Sequence, residues 1–251
     1  MVQDLIRIRQ SERYPSLSVK KYHRKVFFKN LWNTDPELIE SRGHVINEKG
    51  ETVVRPFTKV FNRGENNTDI PLDEECLAVQ KINGFMCAAT YVEEVGEVVI
   101  STTGSLDSGH VTLAEKYIDK EKIPKGYTFL FEIVDKSDPH IIEEREGAYL
   151  IGMRKVDAEE KYTSTIEKEK RLDDIATMLG YKRPTYFVSS FNVVVDMAKV
   201  CFHEGYVVYG KDTVLKLKSP YYITLKALAR KKGYCVNWSH DARRAEVKRI
   251  T

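Results

Sequence analysis

Five charged side chains interrupt strand-length apolar runs, and they limit what this chain can become. YTFLFEIVD (residues 127–135) is almost continuously apolar yet carries Glu132. LAVQ (77–80) and FMCAATYV (85–92) are separated by Lys81-Ile82-Asn83-Gly84. EGYVVYG (204–210) opens on Glu204, and TVLKLKS (213–219) carries Lys216 and Lys218 in alternation. Short runs rich in Val, Ile, Tyr and Phe, bounded by turn residues, read as strands. A charge inside such a half-buried strand is costly unless it is paired or functional. Each position has an ordinary explanation. Asn-Gly is the strongest short hairpin signal, because both residues accept positive φ. Glu132 can pair with a lysine on a neighbouring strand. Lys216 and Lys218 share one strand face, which suits a solvated edge. The alternative for Lys81 is a nucleophilic lysine held at the rim of a nucleotide pocket. The features taken together, in this order, are harder to dismiss than any one alone.

The remaining pattern sets the fold class. GHVINEKGETVVRPFTKVF (43–61) predicts a hairpin around Glu48-Lys49-Gly50. LAVQ, FMCAATYV and GEVVISTT predict three strands between residues 77 and 104. SGHVTLAEKYIDKEK (108–122) predicts a helix capped by Ser108, and AYLIGMRKV (148–156) another strand. TIEKEKRLDDIATMLGY and SSFNVVVDMAKVCF have helical spacing and make a helical segment of about 165–200. YYITLKALARKKG predicts a last helix ending at Gly233. Strands, helix, strands, helices, strands, helix is an α+β order with antiparallel hairpins, not a doubly wound βαβ series. The 251 residues are enough for one large domain with a real core, expected to span 1–251.

Composition removes several classes. At 42% hydrophobic and 31% charged, the chain is not globally disordered. It has no apolar run of membrane-spanning length, and its N-terminus lacks the apolar core of a secretory signal. Cys76, Cys87, Cys201 and Cys235 are scattered, with no Cys-x-x-Cys, so a zinc site or a disulfide framework is not expected. A reducing, cytoplasmic compartment and no membrane association follow. The six histidines lack metal-ligand spacing, and His140 and His203 read as structural or exposed. Neither a P-loop nor a Rossmann turn is present, so a nucleotide would be held by other means. Charge is uneven. Lys211–Thr251 carries eleven Lys/Arg against three acids, a net +8 in a chain of net +3. That balance suits a polyanion partner, or a solvated helix face such as LKALARKKG.

The order Lys-x-Asn-Gly, an acid in an apolar strand, Glu-Gly-Tyr-Val, then Lys-x-Lys resembles the covalent nucleotidyltransferases: RNA ligases, DNA ligases and mRNA capping enzymes. The closer resemblance is to RNA ligases of the phage T4 ligase 1 type, over about residues 40–225. FEIVDKSDPHII with AYLIGMRKV is similar to that group's third motif and following strand. EGYVVYGKDTVLKLKSPYYITL is similar to its fourth and fifth motifs, and SRGHVINEKGETVVRPFTKVFNRGE to its RG…RPxxKFFN segment. The resemblance implies an α+β fold of two antiparallel sheets flanking a nucleotide cleft, with helices outside. It implies an ATP-dependent RNA ligase joining 5′-phosphate and 3′-hydroxyl ends through a lysyl-AMP intermediate, in RNA or tRNA repair. Lys81 would be the nucleophile, its amine made neutral by nearby cations and a metal. Lys216 and Lys218 would stabilise phosphate charge, and Arg42 and Lys59 would also reach phosphates. Glu204 would hold Mg²⁺ or Mn²⁺. Glu132 would bind the ribose, Asn83 and Gly84 would shape the turn, and Gln80 would meet the adenine edge. Tyr206 and the adjacent valines would wall the pocket or pack in the core. The rival readings are a GTP-using capping type, a protein AMP-transferase, or a non-catalytic RNA-end-binding module of the same fold.

Three departures qualify the resemblance. Asn83 replaces the commoner aspartate, as in fungal and plant tRNA ligases. Thr103 in STTGS stands where the phage group has lysine. The sequence ends about thirty residues after Lys218, so a C-terminal accessory domain is expected to be absent. RNA gripping or end processing would then fall to a partner domain or protein.

Overall fold

The computed structural model describes residues 2–230 and 238–250. Three sheets organise them. The N-terminal sheet contains β1 (Ile6–Gln10), β2 (Ser18–Tyr22), β3 (Arg42–Ile46) and β4 (Thr52–Val54) in sequential antiparallel order. Short helices α1 (Arg24–Phe28) and α2 (Glu37–Glu40) join β2 to β3. The hairpin expected over 43–61 is real only as far as Val54. Pro56 offers no N–H to a ladder, and the chain crosses to β5 (Phe61–Asn62), which pairs in parallel with another sheet. Buried Arg154 ties this crossing segment down by donating to the Pro56 carbonyl at 2.7 Å.

A four-stranded antiparallel sheet contains β7 (Phe85–Val92), β8 (Glu97–Thr102), β9 (Tyr127–Val134) and β10 (Gly147–Lys155), in spatial order β10-β9-β7-β8. One face buries Cys87, Ala89, Phe129 and Phe131 against α3 (Gly109–Ala114) and α4 (Ile166–Leu179). The other buries Ala88 and Leu130 against Val19, Val45 and Val54 of the N-terminal sheet. The expected helix over 108–122 is therefore shorter, ending at Ala114 and followed by a 3₁₀ turn over Lys120–Lys122. Ser108 holds the N-cap position, but its hydroxyl makes no capping bond.

The third sheet has the order β11-β6-β12-β13-β5, adding β6 (Glu75–Gln80), β11 (Tyr186–Ser190), β12 (Gly205–Tyr209) and β13 (Val214–Lys218). Its outer face packs Ala78, Tyr206, Val208 and Leu215 against Phe191, Val194 and Ala198 of α5 (Phe191–Val200). The segment at 165–200 is thus two helices with an edge strand between them. Helix α6 (Pro220–Arg230) starts where the Ser219 hydroxyl accepts the Tyr222 amide at 3.0 Å, with Pro220 at its first turn. Helix α7 (His240–Ile250) follows. The expected helix end at Gly233 lies outside the described residues. No described helix is long and apolar enough to cross a membrane.

Candidate active site

Strand alternation decides which side chains meet. In the five-stranded sheet, Ala78, Tyr206, Val208, Leu215 and Leu217 face α5. Val79, Val207, Tyr209, Lys216 and Lys218 therefore face the other way, into a cavity of about 460 Å³. That volume lies in the usual range for ligand pockets. Glu132 shares a face with Leu130 on β9, but the N-terminal sheet covers only Leu130. Glu132 opens to the same cavity, opposite Met86 in register. Arg42, Gln80, Lys81, Asn83, Gly84, Glu132, Glu204, Lys216 and Lys218 all line it. Lys59 does not. Its ammonium lies 4.6 Å from the ring centres of both Trp32 and Phe61, beside the cavity. Tyr206 belongs to the opposite, packed face, and Val207 and Tyr209 wall the cavity instead.

Lys81-Ile82-Asn83-Gly84 is not a hairpin. It carries the chain from β6 in one sheet to β7 in the other, and neither Asn83 nor Gly84 has positive φ. Gly84 is required for a different reason: a Cβ there would lie 2.2 Å from the Ile133 carbonyl oxygen. Gly205 has a similar role. A Cβ there would lie 2.0 Å from the Leu217 oxygen, and φ is +128°. The Gly205 carbonyl accepts the Lys81 amide at 2.9 Å, which fixes the nucleophile candidate against the start of β12.

An acidic wall surrounds Lys81. Its ammonium donates to Glu204 Oε1 at 3.1 Å. Asn83 Nδ2 donates to the second oxygen of Glu204 at 2.7 Å, and Asn83 Oδ1 accepts the Ile142 amide at 2.8 Å. Glu132 Oε1 accepts the Gly84 amide at 3.1 Å. Glu204 and Glu132 are only 3% and 8% exposed. Burial alone would push the Lys81 amine down, but Glu132 and Glu204 outweigh it and hold it above the usual lysine value. Neighbouring cations alone therefore do not make Lys81 neutral as expected: with neither nucleotide nor metal bound, it is an ammonium. Burial raises Glu132 as well.

The neighbouring strand of the same sheet, β13, lines the cavity with cations. Burial, then the charges of Arg42, Lys59, Lys218 and Lys81, push Lys216 down to about 7. Burial also lowers Lys218 and Lys59. Lys218 and Lys226 each lie 5.4 Å from the Tyr222 ring centre, and all three line the cavity. Such a concentration of cations in a half-buried site suits a polyphosphate.

Sequence reasoning missed Glu144, His140, Tyr222 and Lys226. Glu144 accepts the Asn83 amide in a long 3.4 Å contact. Burial, with Glu204 and Glu132 nearby, raises its carboxyl to about 7. Tyr222 could have been found one helical turn after Lys218. Glu144 had no readable signal, because its proximity is purely tertiary.

Among the described residues, no group of three or more His, Cys, Asp or Glu side chains could hold a metal ion. A Mg²⁺ or Mn²⁺ site here would be of the open kind, one or two carboxylates completed by phosphate oxygens and water. Glu204, buried at the cavity wall with its oxygens aimed at polar partners, fits that role.

A paired lysine, buried acids and a cluster of cations around one cavity make a site suited to a nucleotide. The profile of the RNA ligase family, T4 ligase 1 type, matches residues 40–222, and the chain belongs to that family. No curated protein matches the chain. Among solved structures, one form of an archaeal ATP-dependent RNA ligase aligns with TM-score 0.58 and 15% identity, over 96% of this chain and 71% of its own. A second form of it gives 0.56 and 15%, over 98% and 72%. These likenesses establish the fold. A Naegleria gruberi RNA ligase with PPi aligns at TM-score 0.47 and 15% identity, over 67% of this chain and 57% of its own.

Proposed function

We propose that this protein is an ATP-dependent RNA ligase that works through a Lys81–AMP intermediate. The observation that carries the reading is the Lys81 ammonium, 3.1 Å from buried Glu204, lining one cavity with Lys216 and Lys218 in a chain of the RNA ligase family. The names of the archaeal structural neighbours add ATP as the nucleotide.

Three steps follow. The Lys81 amine, after losing a proton, attacks the α-phosphorus of ATP. An N–P bond forms, the α–β P–O bond breaks, and pyrophosphate leaves. An RNA 5′-phosphate oxygen next attacks that phosphorus, the N–P bond breaks, and Lys81 regains a proton. Finally a 3′-hydroxyl, losing its proton, attacks the RNA phosphorus, and AMP leaves as the strand is sealed. Lys216, Lys218 and Arg42 hold phosphate charge in these steps, with Lys59 adding field from beside the cavity. Glu132 takes the ribose hydroxyls, Gln80 the base edge, and Asn83 with Gly84 positions the lysine loop. Mg²⁺ or Mn²⁺ bound at Glu204 would neutralise that carboxylate and so loosen its hold on the Lys81 proton. The buried, unbridged thiols of Cys76 and Cys87 favour a reducing compartment such as the cytoplasm.

The test is strand joining. Single-stranded RNA with 5′-phosphate and 3′-hydroxyl ends is incubated with the protein, ATP and Mg²⁺. Circular or concatenated RNA that disappears in Lys81→Ala supports the reading. Lysyl-nucleotide formed with no RNA product would move it to another nucleotidyl acceptor.

A further inference from the structure

The ligase reading leaves open where the RNA strand enters, and this inference rests on that reading for the identity of its ligand. Residues 20–30, KKYHRKVFFKN, contain five Lys/Arg and no acid. Within them, α1 turns only Val26 inward, where it packs with Trp32 and Leu38. Phe27 and Phe28 stand outside it at 55% and 77% exposure, ring centres 5.6 Å apart. Arg24, Lys25 and Lys29 are exposed around them. Two adjacent exposed phenylalanines among cations are costly on a free surface and suit a partner that offers both flat apolar faces and negative charge.

The patch connects to the cavity by two routes. Trp32, beneath α1, lies 5.4 Å from Phe61, and Phe61 pairs with Leu215 beside Lys216. Across the N-terminal sheet, Arg7, Lys21 and Arg42 are directly opposite one another in register, and Arg42 lines the cavity. Lys21 also reaches the Thr103–Gly104 turn: its ammonium is 3.1 Å from where a Cβ on Gly104 would sit, and Thr103 lines the cavity. A cation thus stands beside the position where the resembled group carries lysine. Lys20 is excluded from this surface by its ion pair with Glu37.

We infer that α1 and the adjoining β1–β3 surface bind single-stranded RNA leading to the active site. Phe27 and Phe28 stack on bases, while Arg24, Lys25, Lys29 and Lys21 follow the phosphates into the cleft. A membrane surface is the competing ligand for basic, aromatic patches. The single turn of α1 is too short to lie as an amphipathic helix in a bilayer interface, and the cation row runs to a phosphate-binding cavity.

The experiment measures binding of a short fluorescent single-stranded RNA by anisotropy at several salt concentrations, using the full chain. The proteins are the wild type, Phe27→Ser/Phe28→Ser and Lys25→Ala/Lys29→Ala. RNA-independent adenylylation of Lys81 and the thermal midpoint are recorded alongside. The expected result is an affinity loss of about tenfold or more for the phenylalanine pair. For the lysine pair, the salt dependence should fall by about 0.7 per cation removed. Adenylylation and thermal midpoint should be unchanged in both. RNA affinity equal to wild type in both variants overturns the inference. So does a wild type that binds anionic vesicles through these residues but not RNA. Loss of RNA binding in the variants, with a wild type that never accepts AMP, would keep this surface and remove the ligase reading.

Discussion

Lys81 and Lys216 face the same cavity, and their surroundings push them in opposite directions. Glu132 and Glu204 keep Lys81 above the usual lysine value despite burial. Burial and four neighbouring cations bring Lys216 down to about 7. The difference divides the cleft into two charge patches. The middle of β9 and the residue opening β12 supply the acids around Lys81, whereas β3 and β13 supply cations, with Lys218 next to Gly205 in register. A polyanion is drawn to the cations, where its charge relieves a repulsion already present. Lys81, the proposed nucleophile, is held beside the acids as a paired ammonium. On this account the resting site separates binding from reactivity, and the change that releases the Lys81 proton must act on Glu204 or Glu132.

Breaking the acidic wall tests this most severely. Lys81→Ala should reduce covalent nucleotide to background, read by retention of the α-phosphate on denatured protein at alkaline pH, where an N–P bond to lysine survives, since no other group replaces the amine. Glu204→Gln should lower adenylylation by about a hundredfold, since it removes the carboxylate that holds Lys81 and would hold a metal. The sign of its pH effect is distinct: with one raising charge gone, Lys81 loses its proton more easily, so the residual rate should peak at lower pH than in the wild type. An unchanged profile would mean Glu204 does not set the state of Lys81. Asn83→Asp sharpens the same point. It restores the commoner motif yet places a carboxylate where an amide donates to Glu204 at 2.7 Å, so adenylylation should fall about tenfold. Equal or faster reaction would show that the Asn83–Glu204 bond has no role.

Two smaller effects probe the cations. Lys216 must be protonated to attract phosphate, and its free value is about 7. ATP binding should therefore take up a proton, and calorimetric affinity should weaken above pH 7 by up to about tenfold per pH unit until the bound-state value is passed. Lys216→Met should raise the thermal midpoint of the nucleotide-free protein. The sign follows from linkage: the folded value lies below the unfolded one, so between about 7 and the ordinary lysine range the unfolded chain binds more protons. The residue costs stability below that window, and removing it should contribute about 1 kcal/mol, or about 2–4 °C. A lower midpoint would contradict the crowded-cation description.

Much of this site was legible because charge in an apolar alternating run is expensive and therefore informative. Glu132, Lys216 and Lys218 could be assigned to strand faces from sequence alone, and Lys81 and Glu204 to strand ends. The Asn-Gly pair could equally signal a hairpin, the alternative weighed against the nucleophile reading, whereas the constraint on Gly84 is the Ile133 carbonyl 2.2 Å from its missing Cβ. That is a contact between sheets, with no local signature. β1 and β2 were not anticipated because they carry charged residues through the strand, as in IRIRQ and SVKKY. Lys59 was assigned to phosphate by resemblance, but Trp32 and Phe61 hold it beside the cavity. Glu144 could be found only once the β9–β10 connection was seen folded back onto Asn83.

The most direct measurement incubates RNA-free protein with ATP and Mg²⁺, digests it, and locates the added nucleotide by mass spectrometry. The account predicts AMP on the peptide carrying Lys81 and on no other lysine, with GTP giving none. AMP on a different residue, or no covalent nucleotide with ATP or GTP in the presence of Mg²⁺ or Mn²⁺, would contradict it.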